Sequence, residues 1–133
     1  MSNLASLVPE GTHFIPLSQA IEMTTLYRQQ KETILVPQFR GQGILPVCET
    51  FNREAFDFLL AEQGCVGLRF YYGMSADLKV HIIAVGVNDQ NEDMLPSDSA
   101  KAAAFDVLNS GDGIVENSVR CPDECPPDSP LNS

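Results

Sequence analysis

The stretch Cys65-Val-Gly-Leu-Arg-Phe-Tyr-Tyr-Gly73, a short link through Met74 to Asp77, and the return Leu78-Lys-Val-His-Ile-Ile-Ala-Val-Gly-Val87 decide the fold. Side chains on a strand alternate between faces with period 2. Val66, Leu68, Phe70 and Tyr72 fall on one face of the outgoing strand. Leu78, Val80, Ile82 and Ala84 fall on one face of the return. The two apolar rows must meet, because a one-residue slip would turn one of them to water. Pairing Tyr72 with Leu78 achieves this and leaves Gly73 to Asp77 as a five-residue loop, a common hairpin length. The same register sets Phe70 opposite Val80, Leu68 opposite Ile82, Tyr71 opposite Lys79 and Arg69 opposite His81.

Helices flank this hairpin. Leu17, Ala20, Ile21, Thr24 and Tyr27 recur at helical spacing, predicting a first helix over 16–31. Asn52 is a good N-cap for a second helix over 52–63. Phe51 and Phe56 are spaced to form a hydrophobic staple, Ala55, Phe56, Leu59 and Leu60 form the core face, and Gly64 suits the left-handed position past its end. Met94-Leu95 starts a third short strand, and 99–109 reads as a third helix rich in good helix formers. Ile34 to Val36 is a short β-like run stopped by Pro37. Ile44 to Cys48 is an edge or bent strand because of Pro46. The expected fold class is α+β: a small antiparallel sheet built on the 65–87 hairpin, with two or three helices packed mainly on the Leu68/Phe70/Val80/Ile82 face.

The chain of 133 residues is of single-domain length, and its 44% hydrophobic and 20% charged composition is that of a globular protein. Its net charge of −10 argues against nucleic-acid binding and against attraction to an anionic membrane. The charge is uneven. Residues 1–87 hold 8 acids and 6 Lys/Arg, a net of −2, whereas residues 88–133 hold 10 acids and 2 Lys/Arg, a net of −8. The division expected is therefore a single α+β domain over 1–111 and an acidic tail with prolines and cysteines over 112–133, irregular from Asn117 onward. No stretch reads as a secretory signal or approaches the ~20 apolar residues of a membrane span, which gives a cytoplasmic protein as the default.

Four constellations bear on chemistry. Asp89-Gln-Asn-Glu-Asp93 opens like a calcium loop, but the sixth and twelfth positions, which need Gly and Glu, are Met94 and Ala100. It reads as a solvated turn. Cys121 and Cys125 have three residues between them, whereas Cys48 and Cys65 stand singly in apolar runs. Zinc sites draw on two close pairs, so Cys121 and Cys125 are weak metal candidates. A cytosolic disulfide is disfavoured, which leaves free thiols as the plain reading. Ser75 and His81 lie close together in the hairpin, but Ser75 sits on no nucleophile elbow and no third partner is in place.

The fourth constellation is Arg69, Tyr71, Lys79 and His81, gathered by the register on the hairpin's second face. A guanidinium fork, an amphipathic ring, an amine and a group that titrates near neutrality together suit a small anionic ligand or a protein partner. The same face is a candidate seat for the acidic tail, whose only cation is Arg120.

The combination Ile15-Pro-Leu, Ala20, Met23-Thr24, Tyr27-Arg28, Gly64 to Gly73, Val85-Gly-Val87 and Cys121-Pro-x-x-Cys125 resembles a group of small uncharacterised bacterial proteins, over most of the chain. The resemblance implies no activity, cofactor or catalytic residue.

Two function classes follow. The favoured one is a non-enzymatic module binding a small ligand or a protein, without cofactor, acting as a homodimer. The homodimer is expected because prolines 37 and 46 flank the sheet and leave an edge to manage, and because Ile83, Val85 and Val87 line the second face. The alternative is a small enzyme or metal-binding protein using the cysteines or His81.

Overall fold

Asn52 to Ala61 shows how local sequence becomes structure. The computed structural model describes residues 7, 11, 13–96 and 114–133. In it, helix α2 spans Arg53–Ala61, after Asn52 in an extended conformation. The Phe51 and Phe56 rings lie 5.4 Å apart between centroids, the expected staple across the helix start. Leu59 is buried, Ala55 and Phe56 are half-buried, and Leu60, expected in the core, is 47% exposed. Gly64 has a φ of 91°, the left-handed region that favours glycine.

The elements run α1 (Leu17–Gln30), a 3-10 turn (Pro37–Phe39), β1 (Cys48–Thr50), α2, β2 (Cys65–Met74), β3 (Val80–Asn88), β4 (Asp93–Met94) and β5 (Val119–Cys121). This is the expected α+β class. Strands β2, β3 and β4 form a three-stranded sheet in that order, and β1 pairs with β5 in a separate two-stranded sheet. The Ile34–Val36 run is not a strand. The Ile44–Cys48 strand begins only at Cys48, past Pro46. The third helix expected over 99–109 lies outside the described residues.

The chain divides into two compact units. Among the described residues, the first holds 7, 51–72, 82–96 and 114–117, and the second holds 11, 13–50, 73–81 and 118–133. In the first, the buried side chains are Leu59, Cys65, Ala84, Val85 and Val87. The sequence pattern placed the core on the Leu68/Phe70/Val80/Ile82 face. Instead the deepest burial lies at the end of β3, where Ala84 to Val87 are covered on both faces, while Phe70 is 47% exposed. Gly86 makes this packing feasible: a Cβ there would stand 3.1 Å from the Cys65 sulfur and 3.7 Å from the Leu59 carbonyl oxygen. Ala84 and Val115 exchange both backbone hydrogen bonds, at 2.8 and 2.9 Å. Phe70 meets Phe56 of α2 edge-to-face with centroids 6.0 Å apart.

The second unit has little apolar burial, limited to Ile44 and Cys121. Polar and covalent links dominate it. The tail is not irregular throughout, because β5 pairs with β1 in the register Cys48 to Cys121, Glu49 to Arg120 and Thr50 to Val119. Cys121 and Cys125 form a disulfide with Cα atoms 4.4 Å apart, so neither remains a free thiol or a metal ligand. Arg120 donates to the carbonyls of Gly43 at 2.8 Å, Ile44 at 2.9 Å and Val80 at 3.1 and 3.2 Å. Arg120, the cation of this segment, thus ties the tail to the carbonyls of the 43–44 and Val80 backbone. On α1, Tyr27 donates to the Pro46 carbonyl at 2.6 Å and Arg28 donates to the carbonyls of Leu131 at 2.5 Å and Ser133 at 2.8 Å. No described helix is long and apolar enough to cross a membrane.

Candidate functional site

The turn between β2 and β3 lies further along the chain than the apolar pattern predicts. Ser75 donates its backbone N–H to the Lys79 carbonyl at 3.0 Å, and Leu78 donates to Ser75 at 2.9 Å with a φ of 67°. Leu78 and Lys79 therefore belong to the turn, and β3 starts at Val80. At the turn Lys79 faces Ser75 rather than Tyr71, a shift of four residues (75 − 71). Four is even, so the shift keeps each row on its own face.

The consequence for the four candidate residues is a separation of roles. Arg69 and Tyr71, two apart on β2 and so on one face, converge on Asp93 at the start of β4. The guanidinium donates through Nη1 to Asp93 Oδ1, and the Tyr71 hydroxyl donates to Asp93 Oδ2. Arg69 Nη2 reaches the next turn, donating to the Asn91 side-chain oxygen and to its carbonyl at 3.2 Å. The ion pair is well shielded, with side chains 29% and 24% exposed.

That next turn explains why Asp93 is in reach. Asn88 folds its side chain back, and its Oδ1 accepts from the Gln90 and Glu92 amides, each at 2.9 Å. Asn91 takes a φ of 64°, which asparagine tolerates better than most residues. This closes a tight hairpin that pairs Val87 with Asp93 and Gly86 with Met94. The 89–93 stretch is thus a turn, and its acids do not converge. Asp93 points its oxygens at Arg69 and Tyr71, while Asn88 takes Glu92 through a bond of 3.0 Å.

The electrostatics follow from the geometry. The Asp93 carboxyl is held below the usual carboxylate range, first by the Tyr71 hydroxyl and then by Arg69. Tyr71 is raised, chiefly because its hydroxyl donates to Asp93. Arg69 is raised by the same carboxylate. The three groups form a closed, charge-neutral clamp in which the guanidinium fork and the phenol are already engaged.

Lys79 and His81 are described with the second unit. Lys79 Nζ stands 3.9 Å from Asp77, in the turn that Ser75 organises. The Ser75 hydroxyl donates to Asp77, which lowers the Asp77 carboxyl, and it accepts from the Lys79 amide at 3.3 Å. A serine engaged in this way is a turn former rather than a nucleophile. His81 is half-buried on β3.

Three participants escape the sequence pattern. Asp93 and Asn91 read only as part of the acidic turn, although a polar run with Asn at both 88 and 91 directly after a strand is itself a signal for a hairpin. Cys48, which stands singly in an apolar run, lies opposite Cys121. On α1, a groove of ≈ 250 Å³ is lined by Met23, Leu26, Tyr27, Gln30, Lys31 and Ile34. Its wall is almost wholly carbon, and the Lys31 amine and the Tyr27 hydroxyl are engaged by Glu32 and the Pro46 carbonyl. Among the described residues, no group of His, Cys, Asp and Glu side chains is arranged to hold a metal ion.

The chain matches no family model, no curated protein and no solved structure.

Proposed function

We infer that this protein is a non-enzymatic interaction module that associates through strand β2, with a second copy of itself as the partner. One observation carries the reading: β2 displays Phe70, Tyr71 and Tyr72 at 47%, 45% and 80% exposure along an outer strand of its sheet. Among the described residues no strand pairs with the outer edge of β2. Exposed edges are usually protected by proline, lysine or a bulge. Cys65–Met74 contains no proline or lysine, and its one charge, Arg69, is neutralised by Asp93.

Tyrosine and phenylalanine combine large contact area with few rotatable bonds and are enriched where binding energy concentrates. Antiparallel pairing of β2 with a second β2 about a two-fold axis presents the same aromatic residues from both sides, the self-complementary arrangement of cyclic dimers. The Arg69–Asp93–Tyr71 clamp then has a role without chemistry, since it stiffens the strand on the face that carries it. A small anionic ligand fits this geometry less well, because it would have to displace Asp93 from both donors. The enzyme or metal reading loses the Cys121–Cys125 pair to the disulfide.

Light scattering at tens of micromolar tests the reading (roughly the range in which standard interfaces form). A dimer is expected. Tyr72→Glu, at a position 80% exposed, should leave the fold intact while weakening association by at least about tenfold. A strict monomer at that concentration, or a dimer indifferent to Tyr72→Glu, overturns the reading.

A further inference from the structure

Three cysteines meet in the two-stranded sheet. Cys121 is buried and bridged to Cys125, and Cys125 is exposed. Cys48 is a free, half-buried thiol, and it is the direct cross-strand partner of Cys121. Directly opposed residues of an antiparallel pair point to the same face, with Cβ atoms about 4.5–5.5 Å apart. Their Cα atoms are about 4.5 or 5.5 Å apart, and both values fall within the roughly 4.4–6.8 Å that a disulfide spans. The Cα spacing thus already suits a bond between Cys48 and Cys121, and the Cβ atoms need to close by up to about 1 Å to reach the roughly 3.5–4.5 Å of a bridge.

We propose that Cys48 makes the Cys121–Cys125 bridge an internal thiol–disulfide exchange site, with two alternative disulfides that share Cys121. The Cys48 thiolate attacks the sulfur of Cys121. The new Cys48–Cys121 bond forms as the Cys121–Cys125 bond breaks, and the electron pair leaves on Cys125, which takes up a proton. One thiol and one disulfide enter and one of each emerge, so no oxidant or reductant is consumed.

The two states differ in what the surface shows. In the present one the exposed sulfur belongs to a disulfide, and the free thiol is the half-buried Cys48. In the exchanged one the bridge lies between β1 and β5, and Cys125 presents a free thiol to solvent. The exchanged bridge also joins residues 73 apart in sequence (121 − 48) in place of four (125 − 121). It ties two distant segments together, whereas the present bridge closes only a local loop. The β1–β5 pairing keeps Cys48 and Cys121 opposed throughout, so exchange needs no unfolding.

Tryptic mapping under non-reducing conditions, after acid quench and alkylation of free thiols, separates the two states. Cleavage after Arg40, Arg53 and Arg120 places Cys48 in peptide 41–53 and both Cys121 and Cys125 in peptide 121–133. The Cys121–Cys125 bridge is therefore internal to one peptide, whereas the exchanged bridge links two. In the wild-type protein held at mildly alkaline pH, we expect the linked 41–53/121–133 pair to appear together with alkylated Cys125, and Cys48→Ser to abolish it. In air-oxidised Cys125→Ser protein the linked pair should become the principal disulfide. A wild-type map with Cys48 fully alkylated and no linked pair at any time overturns the proposal. That map decides the matter even if a variant fails to fold.

Discussion

The two units of this chain reach order by different means. In the first, the Ala84-Val-Gly-Val87 part of β3 is buried on both faces beneath Leu59 and Cys65, and one tight hairpin turn after Asn88 supplies the geometry. In the second, Ile44 and Cys121 alone are buried among the described residues, and the chain is held by a guanidinium bonded to three carbonyls, a disulfide and a short ladder. Apolar burial is non-directional and tolerates small shifts. Charge-assisted hydrogen bonds are directional and fail when one partner is lost. The first unit should therefore respond to lost volume and the second to lost donors.

The largest effect is expected from Leu59→Ala, which empties a nearly fully buried site in the first unit. Such truncations cost about 2–5 kcal/mol. Urea denaturation should show this as a lowered midpoint, accompanied by faster amide exchange at Val85 and Val87. A loss under about 1 kcal/mol would mean that the apolar core of this unit has been overrated. Next comes Arg120→Ala, which leaves the carbonyls of Gly43, Ile44 and Val80 without their charged donor. A loss of about 1.5–3 kcal/mol is expected, read from denaturation and from exchange of the Val47 and Val80 amides, which donate to Cys121 and Ile44. Arg120→Lys should recover less than half of it, since an ammonium lacks the planar fork. Full recovery by lysine would show that charge, rather than direction, holds the tail.

The smallest effect concerns pH and the clamp in the first unit. Asp93 is depressed in the fold, so its contribution is present above its unfolded value near 3.9 and is lost as pH falls through the lowered folded value. Tyr71 is raised, so its contribution is present below about pH 10 and is lost as pH rises through the raised value. Stability measured from pH 2 to 11 should fall at both ends. Asp93→Asn should flatten the acid limb, and Tyr71→Phe the alkaline one. An acid limb unchanged in Asp93→Asn would place the responsible carboxylate elsewhere.

Much of the fold was legible because its signals are local. The Phe51/Phe56 staple, Gly64 and the alternation from Cys65 to Val87 each depend on neighbours in sequence and mark real features, while Asn52 holds the position before α2 without a side-chain capping bond. The turn was misplaced because Gly73 looked like its natural start, whereas the chain bends at Leu78, a residue that rarely takes a positive φ. The core was misplaced because alternation cannot reveal that one end of β3 is covered on both sides. The site was only half legible. Arg69 and Tyr71 were identified from their spacing, but Asp93 lies 24 and 22 residues away and arrives only when β4 folds onto β3. Cys48 and Cys121 are 73 residues apart, and no local pattern joins them.

The hydroxyl of Tyr71 on Asp93 has an optical consequence. The chain has no tryptophan and three tyrosines, so its near-ultraviolet absorption and emission are dominated by Tyr27, Tyr71 and Tyr72. Their phenols sit in three different settings: one donates to a peptide carbonyl, one to a carboxylate, and one is 80% exposed to water. A phenol bonded to a carboxylate absorbs at longer wavelength and can pass its proton to that carboxylate on excitation, which dims its emission. Tyr71 should therefore be the dark, red-shifted tyrosine, and brightening on acidification would signal release of the clamp without any added label.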